Sequence, residues 1–461
     1  MPALADTVRR TIARHRMFAP GQTVLAAVSG GPDSMAMLNV LAGLAPGLGL
    51  RLAVAHLDHG FRPESGEEAS FVAGEAGRLG LPCTVEKSDL KDRLAESHEN
   101  KQAAARDARY EFLYRAALKY GASRVAVGHT ADDQAETYIM RELRGSGAQG
   151  LAAIPPVRGE IVRPLIDATR DEVLAYLEAG NIPYKTDPSN LRPDYLRNKI
   201  RLELMPVLRE YNPAVSGALC HAADILREED DFLTAYTDDL LSGIVSTGPA
   251  RSVAVALDAF GRLPVAIKRR AVRAAIKRVK GDLSGLGYGH VIEAAGPIAD
   301  GETGRGMDIP GGLRIEKSYG RLLVYRAEDL PGDYSFGLPL SGTVTVDSTG
   351  ITVEARLLSS EEPMAPKGPA EAVFDADRLT GPIEIRNRRP GDFFYPVGMD
   401  GRKKLKEYFI DLKLPRLERR TAPLMTCGGE VAWVMGMRVD RRFAADAFTK
   451  KAVLVTYKIN T

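Results

Sequence analysis

Apolar runs alternate with amphipathic stretches over the first 210 residues. Residues 23–28 (TVLAAV) form a continuous apolar run between Gly21 and Gly30, which favours a strand buried on both faces. Helical spacing of apolar positions follows at residues 34–44. The same alternation continues with strands predicted at 50–55 and 124–127, and helices at 67–79, 100–120 and 132–144. This pattern predicts an α/β fold with a parallel sheet covered by helices on both faces.

Beyond residue 210 the alternation is lost. Residues 214–241 and 264–280 have helical spacing, and the basic face of the second helix either faces solvent or binds nucleic acid. Residues 359–370 contain three prolines and predict an exposed loop. Strands are expected at 383–386, 431–436 and 452–457. We therefore predict four segments: an α/β domain (1–210), a mostly helical middle domain (211–335), a connecting segment (336–370) and a small mixed α+β domain (371–461).

The composition is that of a globular protein, with 44% hydrophobic and 26% charged residues. The longest apolar stretch, residues 35–50, is interrupted by Asn39 and by Gly and Pro, so it does not predict a membrane span. Residues 1–20 carry several basic residues with no apolar core behind them, which does not resemble a secretory signal. These features lead us to expect a cytoplasmic protein.

The three cysteines, Cys83, Cys220 and Cys427, lie far apart and none belongs to a CxxC pair. The sequence therefore gives no support for a disulfide framework, a cysteine zinc site or a thioredoxin-like motif. Each cysteine is expected to be a small apolar residue.

Charge is distributed unevenly along the chain. Residues 381–461 carry 17 Lys and Arg against 9 Asp and Glu, a net charge of +8, whereas the remainder carries 45 basic and 51 acidic residues. A basic C-terminal segment indicates either a polyanionic partner, nucleic acid first, or a solvated surface.

The strongest local motif is a glycine-rich turn between the first predicted strand and helix. Two glycines permit a sharp turn, and backbone N–H groups at a helix N-terminus favour an anion. The motif has neither the spacing of a Walker loop nor that of a dinucleotide fingerprint. Taken alone, it is either a serine-capped turn or an anion site. Its residues are Ser29, Gly30, Gly31, Pro32, Asp33 and Ser34.

This SGGxDS turn resembles the PP-loop of the ATP pyrophosphatase family, whose members cleave ATP to AMP and pyrophosphate. The resemblance implies that the loop holds pyrophosphate and that Asp33 helps to hold Mg²⁺, for which a hard oxygen ligand is suitable. Related members include GMP and NAD synthetases, tRNA thiolation enzymes and tRNA(Ile)-lysidine synthetases.

Further motifs resemble the tRNA(Ile)-lysidine synthetases. They begin at strand ends, where ligands collect at the carboxyl edge of a parallel sheet. Thr130 departs from the pattern, since many members have a second histidine there. The matching segments are HLDHGFR (56–62), GHTADDQAET (128–137), RGSG (144–147), RPL (163–165), DPSN (187–190), RNKIR (197–201) and, near the other end, RNRRPGD (386–392), KKLK (403–406) and FID (409–411).

The resemblance implies ligation of L-lysine to C2 of the wobble cytidine in a CAU-anticodon isoleucine tRNA, through an adenylated intermediate. Asp33 and Asp133 would hold Mg²⁺, Arg109 would contact phosphate or the activated base (or form a surface ion pair), and Asp132 is a candidate base. His56, Asp58 and His129 would join the loop in binding ATP. The sequence leaves the oligomeric state open, a homodimer included. Five basic residues would bind tRNA: Arg388, Arg389, Lys403, Lys404 and Lys406.

Three other functions agree less well with the sequence. A tRNA 2-thiocytidine or thiouridine synthetase needs thiolates, and the cysteines lie far from the motifs. A small-molecule synthetase would not explain the basic C-terminal segment. A non-catalytic RNA-binding protein would not need Ser29, Asp33, Asp132 and Asp133 together.

Overall fold

The computed structural model describes residues 2–58, 65–88, 101–186, 195–248, 252–330, 332–347, 349–359 and 361–459. The chain divides into two compact units, Met1–Phe232 and Leu233–Thr461. The boundary falls inside one long helix, Val215–Ser242. Among the described residues, no helix is both long and apolar enough to cross a membrane.

The first unit is built on a six-stranded sheet with strand order β3-β2-β1-β4-β6-β5. Strand β1 pairs in parallel with β2 on one side and β4 on the other, and only the edge strand β5 is antiparallel to its neighbour β6. The strands are Thr23–Ala27 (β1), Arg51–Asp58 (β2), Cys83–Lys87 (β3), Arg124–Val127 (β4), Val157–Arg158 (β5) and Ile161–Val162 (β6).

Helices cover both faces of this sheet. Along β1, Val24 and Ala26 belong to one apolar core while Leu25 and Ala27 belong to the core on the opposite face. Burial on both faces explains why the strand is a continuous apolar run, and the predicted α/β parallel sheet is confirmed. The helices are Pro2–Arg14 (α1), Pro32–Leu48 (α2), Ser65–Arg78 (α3), Lys101–Tyr120 (α4), Ala131–Glu142 (α5), Ala148–Leu151 (α6), Arg170–Ala179 (α7), Leu196–Lys199 (α8), Met205–Tyr211 (α9) and Val215–Ser242 (α10); the π-helical turn Ile200–Leu204 joins α8 to α9.

The middle of the chain is helical and also contains an antiparallel sheet that the sequence analysis did not predict. The strand order of this sheet is β7-β8-β11-β10-β9. Ala271, Val272 and Ile276 of the predicted basic helix lie buried in the same core as its strands. The strands are short and joined by tight turns, so their periodicity is weak in the sequence. The elements are Val245–Thr247 (β7), Val253–Ala256 (β8), Leu257–Gly261 (α11), Val265–Lys280 (α12), Tyr288–Glu293 (α13), Gly306–Ile309 (β9), Leu313–Ser318 (β10) and Arg321–Arg326 (β11).

The C-terminal region packs two four-stranded sheets, β12-β16-β19-β20 and β13-β14-β21-β15, around a core that contains Phe374 and Trp433. A two-stranded ribbon joins β17 to β18. The elements are Ser335–Gly337 (β12), Gly342–Val346 (β13), Ile351–Leu357 (β14), Glu371–Asp375 (β15), Ile383–Arg386 (β16), Phe393–Phe394 (β17), Lys403–Lys404 (β18), Leu405–Asp411 (α14), Arg416–Thr421 (α15), Leu424–Cys427 (β19), Glu430–Val434 (β20) and Ala452–Ile459 (β21).

The expectation of a connecting segment at 336–370 is wrong for its first part. Strands β13 and β14 lie there, and β14 pairs with β21 over its whole length. Both strands alternate apolar and polar residues, as a half-exposed strand should, and this signal was missed. Residues 361–370 contain no helix or strand. The four-segment division as a whole stays a prediction.

Candidate functional site

The loops after β1 and β4 meet at the carboxyl edge of the sheet. Strand β1 lies between β2 and β4, so the chain leaves β1 in one direction along the sheet and returns to β4 on the other side. Crevices form where strand order reverses in this way, and ligands bind there. A Cβ built on Gly128, directly after β4, would lie 3.1 Å from the carbonyl carbon and oxygen of Asp33. The two loops therefore approach each other closely through their backbones, which favours glycine at position 128.

The glycine-rich turn has the geometry of an anion cradle. Gly30 has a φ of +88°, a left-handed conformation that favours glycine. The Ser34 hydroxyl donates to the Gly31 carbonyl at 2.9 Å and accepts from the Ser29 amide at 3.1 Å. Gly31 is the N-cap of α2, and no side chain caps this helix end. The N-terminal amides of a 17-residue helix are thus left for an external acceptor.

Asp33 lies in the first turn of α2 with one carboxylate oxygen unpartnered. Its Oδ2 lies 3.5 Å from an Arg170 guanidinium nitrogen, whereas its Oδ1 is buried and has no hydrogen-bond partner. Burial raises the pKa of this carboxyl, and Arg170 counteracts only part of the shift. A buried, unsatisfied carboxylate oxygen is costly, so it indicates a missing donor or cation. The buried, unpartnered oxygen of Asp33 therefore fits its predicted role as a Mg²⁺ ligand.

Asp133 lies in a network that is already satisfied, which we call the α5 network (Asp133, Glu136, Arg197 and Arg201). The Oδ1 of Asp133 accepts from Arg197 at 2.9 Å and from Arg201 at 3.2 Å, and its Oδ2 accepts from the Thr130 amide at 2.9 Å. Burial alone would raise the pKa of Asp133, but Arg197, His129 and Arg201 hold it below its ordinary value. Metal binding by Asp133 would require one guanidinium to move, so its predicted role as a ligand stays a prediction.

Glu136 completes the α5 network one helical turn later. It accepts from Arg197 Nε at 2.9 Å and from Arg201 Nε at 2.5 Å, and its side chain is almost fully buried. Both arginines belong to the RNKIR segment, whose residues were matched without an assigned role. The network thus fixes α8 and the π-helical turn against α5.

The carboxylate of Asp132, like that of Asp133, accepts hydrogen bonds at both of its oxygens. Its Oδ2 accepts from the Arg170 amide at 2.8 Å, and its Oδ1 accepts from Arg209 at 2.9 Å and from the Ser216 hydroxyl at 3.3 Å. These contacts join the start of α5 to α7, α9 and α10. The geometry supports a structural role for Asp132, and its predicted role as a base stays a prediction.

Thr130 replaces the second histidine of the motif and caps α5. Its hydroxyl accepts from the Asp133 amide at 3.4 Å, and the Asp133 side chain accepts in return from the Thr130 amide. This reciprocal pair is a capping box. The threonine at this position therefore has a structural use that needs no imidazole.

The two histidines at the sheet edge have different surroundings. His56, on β2, is buried, and its Nδ1 donates to the Val28 carbonyl at 2.8 Å, which fixes β2 to the end of β1. His129, after β4, is half-buried, and its Nδ1 accepts from Arg163 Nε at 3.3 Å. Burial lowers the pKa of His129 to about 4; Asp133 opposes the shift and Arg163 adds to it.

The remaining predicted residues of the first unit are placed as follows. Asp58 is buried at the end of β2. Arg109 lies on α4 with an exposed side chain, and among the described residues it has no ion pair or hydrogen bond. The predicted surface ion pair is therefore not seen there. The DPSN segment and the last four residues of HLDHGFR lie outside the described residues. The part of the chain that is described contains no cluster of three His, Cys, Asp or Glu side chains able to hold a metal ion.

A basic cleft of about 820 Å³ lies within the second unit. Two of the five predicted tRNA-binding residues, Arg388 and Lys406, line it; Lys404 and Arg389 are exposed, and Lys403 is ion-paired with Asp411. Only two carboxylates, Glu316 and Asp333, line it with them. The sequence analysis missed its other four cations because a charge count does not say which residues converge: Lys317, Arg416, Arg419 and Arg420.

The cations of the cleft are held by neutral groups rather than by carboxylates. Arg419 donates to the Leu414 carbonyl and to the Tyr319 hydroxyl, each at 2.7 Å, and Lys317 donates to the Ala299 carbonyl at 2.8 Å. Within the described residues, Arg388, Lys406, Arg416 and Arg420 form no ion pair. The positive charge is therefore not neutralised internally, and the cleft fits a polyanion.

Comparison with known proteins identifies family models for an N-terminal and a C-terminal region of the chain, and relatives over nearly its full length. A PP-loop domain model matches residues 4–208, and a model of the TilS substrate C-terminal domain matches residues 383–455. The chain is 41% identical to a tRNA(Ile)-lysidine synthase of Symbiobacterium thermophilum, over 99% of this chain and 98% of that protein. It is 34% identical to the enzyme of that name from Caldanaerobacter subterraneus (98% and 97% covered) and 32% identical to that of Bacillus subtilis (94% and 93% covered).

Proposed function

The chain belongs to the tRNA(Ile)-lysidine synthase family, and from that premise we propose which of its residues do the work. The enzyme is an ATP-dependent ligase that forms lysidine on tRNA(Ile). We propose that the amine is that of L-lysine, that the target is the wobble cytidine of a CAU anticodon, and that the reaction takes place in the cytoplasm with Mg²⁺. Assembly into a homodimer stays a prediction.

The reaction needs an activated oxygen because a carbonyl oxygen is a poor leaving group. The C2 oxygen of the cytidine attacks the α-phosphorus of ATP, and the bond to pyrophosphate breaks. The ε-amine of lysine then attacks C2, loses a proton, and AMP departs with the former C2 oxygen. The protein must therefore stabilise negative charge on pyrophosphate and afterwards on AMP.

The glycine-rich turn is proposed to bind the departing pyrophosphate. The uncapped N-terminal amides of α2 and the hydroxyl of Ser29 would supply the donors, while Ser34 holds the turn in shape through the Gly31 carbonyl. Asp33 would hold Mg²⁺, which would neutralise charge on the phosphates. The observation that carries this proposal is the buried Oδ1 of Asp33 that has no hydrogen-bond partner.

The other predicted residues receive narrower roles. Arg109, exposed and without an ion pair among the described residues, would contact a phosphate or the activated base. His129 would donate to ATP, whereas His56 would support the loop through the Val28 carbonyl. The basic cleft, with Arg388 and Lys406, is proposed to bind the tRNA backbone, since phosphate contacts position an RNA without reading its bases.

Thiolation is not favoured by the cysteines. All three lie in the described residues and are free: Cys427 is buried, and Cys83 and Cys220 are half-buried. Burial raises the pKa of Cys220 to about 12, and burial also raises the pKa of Cys83. A sulfur carrier needs a thiolate near neutral pH, so Cys83 and Cys220 are not suited to that role.

The test is to incubate the enzyme with tRNA(Ile), ATP, Mg²⁺ and lysine, digest the tRNA and weigh its nucleosides. One cytidine should gain the mass of lysine less water. Ornithine in place of lysine and a tRNA with a UAU anticodon serve as matched controls, and both should give little product. A sulfur-sized mass increase, or a product formed without lysine, would contradict the proposal.

A further inference from the structure

Arg163 is a buried cation without a carboxylate partner. It follows β6 at the carboxyl edge of the first sheet, and only 2% of its surface is exposed. Among the described residues it forms no ion pair; its terminal NH1 nitrogen donates to the Pro155 carbonyl at 2.6 Å, and Tyr110 is a hydrogen-bonding neighbour. Burying a guanidinium without a counter-charge is unfavourable, and an apolar side chain would fill the space at lower cost. Stability alone therefore does not explain this residue.

The Nε of Arg163 donates to Nδ1 of His129 at 3.3 Å. A guanidinium has no acceptor atoms, so this contact exists only when Nδ1 of the imidazole is unprotonated. A neutral imidazole must then carry its proton on Nε2. Because the buried positive charge also disfavours an imidazolium, the contact selects one tautomer and one charge state.

The second ring nitrogen of His129 is available for a ligand. Within the described part of the chain, the ring of His129 hydrogen-bonds through Nδ1, and the ring is half-buried. Its neighbour Gly128 touches the backbone of Asp33 and Ser34 in the glycine-rich turn. His129 therefore directly follows the residue whose backbone lies against the glycine-rich turn.

We propose that Arg163 is a positioning residue that holds His129 as the neutral Nε2–H tautomer, so that the imidazole donates a hydrogen bond to a phosphate oxygen of ATP. This proposal rests on the proposed function for the identity of the ligand. The tautomer itself is a property of the free protein and can be measured without the reaction.

The direct test is nuclear magnetic resonance of the full chain labelled with ¹⁵N-histidine. The chain has seven histidines, and the His129 signal is identified by its loss in His129→Gln. The wild-type ring should carry its proton on Nε2 at pH 7. In Arg163→Met the preference should weaken, whereas Arg163→Lys should keep it because an ammonium also only donates. Protonation on Nδ1 in the wild-type enzyme would overturn the proposal without any Arg163 variant.

A matched control is Arg158→Met. Arg158 stacks on the Tyr110 ring at 5.6 Å and lies in the same neighbourhood, but it does not hydrogen-bond to His129. Its removal should leave the tautomer unchanged. A change of tautomer in this variant equal to that in Arg163→Met would show a general effect of positive charge and overturn the specific role of Arg163.

Steady-state kinetics distinguish a positioning role of Arg163 from a purely structural role. His129→Asn keeps an acceptor for Arg163 but loses the distal donor, whereas His129→Gln keeps a donor near the Nε2 position. We expect kcat to fall about tenfold in His129→Asn and in Arg163→Met, and less in His129→Gln. Because both residues act through one hydrogen bond, the double variant should be no slower than the slower single variant. Multiplicative losses would show that Arg163 acts independently.

Discussion

The two units use charge in opposite ways. At the sheet edge of the first unit, Asp132, Asp133 and Glu136 are buried and each is matched by arginines. In the basic cleft of the second unit, Arg388, Arg416 and similar cations face one another with few carboxylates between them. Paired and buried charges fix side chains in one geometry, whereas unpaired and open charges attract a mobile polyanion.

The difference between the two units shows which of them depends on the exact placement of individual side chains. Adenylation depends on the exact placement of a few groups, and at this sheet edge the carboxylates of α5 are paired with arginines while the Oδ1 of Asp33 has no partner. Binding a large RNA depends on the sum of many weaker contacts, so individual cations of the cleft are exchangeable. Single substitutions should therefore have large effects in the first unit and small effects in the second.

The largest effect is expected from Asp33→Asn. Loss of the carboxylate should reduce ATP consumption by about 10²–10³-fold, the usual cost of removing one charge-stabilising group from a transition state. Asp171→Asn is the matched control, because Asp171 is an exposed acid in the first turn of α7 next to Arg170. Near-normal turnover of Asp33→Asn would mean that the glycine-rich turn is only structural.

Asp33→Asn should cost no stability. Burial raises the pKa of Asp33, so the ionised form is less stable in the folded protein than in the unfolded chain. The variant should therefore unfold at the same or a slightly higher denaturant concentration than the wild type. A large loss of stability would show that Asp33 holds the fold together.

Glu136→Gln should destabilise the first unit by about 3 kcal/mol. The substitution removes one of the two carboxylates that Arg197 and Arg201 share and leaves Asp133 alone to balance two half-buried guanidinium groups, which is costly. Glu111→Gln, which removes an exposed pair with Arg115, should cost about 0.5 kcal/mol or less. Hydrogen exchange of peptides from α5 measures the difference.

The single tryptophan provides an internal reference for that experiment. Trp433 is buried in the second unit, so its fluorescence reports the unfolding of that unit. The transition should be unchanged in Glu136→Gln. An equal shift of both signals would show that the two units unfold together and would weaken the comparison drawn above.

A third prediction concerns the basic cleft. Converting Arg388, Lys406, Arg416 and Arg420 to Gln should weaken tRNA binding by roughly 10–100-fold at moderate salt and leave ATP binding unchanged. Each lost phosphate contact should reduce the slope of log Kd against log salt by about 0.7–0.9. Glutamine substitution of the exposed Lys367, Lys450 and Lys451 outside the cleft is the control for general charge. An unchanged slope would place the tRNA contacts elsewhere.

Charge substitution is a better test than truncation in this region. Removing all residues after 360 would take away β21, which pairs with β14 over seven residue pairs. The remaining strands would expose apolar surface, so a loss of tRNA binding could arise from unfolding. The four exposed or half-exposed cations of the cleft carry no such risk.

The parallel sheet and its ligand-binding edge could be predicted from sequence because continuous apolar runs and strand-end motifs are local signals. Roles within the motifs could not, since Asp132 and Asp133 are neighbours whose partners, Arg170, Arg197 and Arg209, come from segments 38 to 77 positions away. Strands β13 and β14 were visible in principle as an alternating pattern. The proline-rich residues 359–370 that follow them favour a loop, and this local signal is stronger than that of two short strands.

The smallest effect is expected from pH, and it should have opposite signs at two residues of the same edge. The pKa of His129 is about 4 in the fold against 6.5 when unperturbed, so the unfolded chain binds more protons between these values. Stability due to His129 is therefore present above about pH 6.5 and is lost as the pH falls toward 4. At pH 5 the loss should be about 1 kcal/mol, allowing for the half-exposed ring.

Asp33 acts in the other direction, because its raised pKa makes ionisation unfavourable to folding as the pH rises. Hydrogen exchange of β1 and β4, measured at pH 5 and at pH 7, tests both effects. Between pH 7 and pH 5 the wild type should lose more protection than His129→Gln. Over the same range Asp33→Asn should lose more protection than the wild type. Equal losses in the wild type and His129→Gln would mean that the fold does not lower the pKa of His129, which would contradict the expected loss of stability at pH 5.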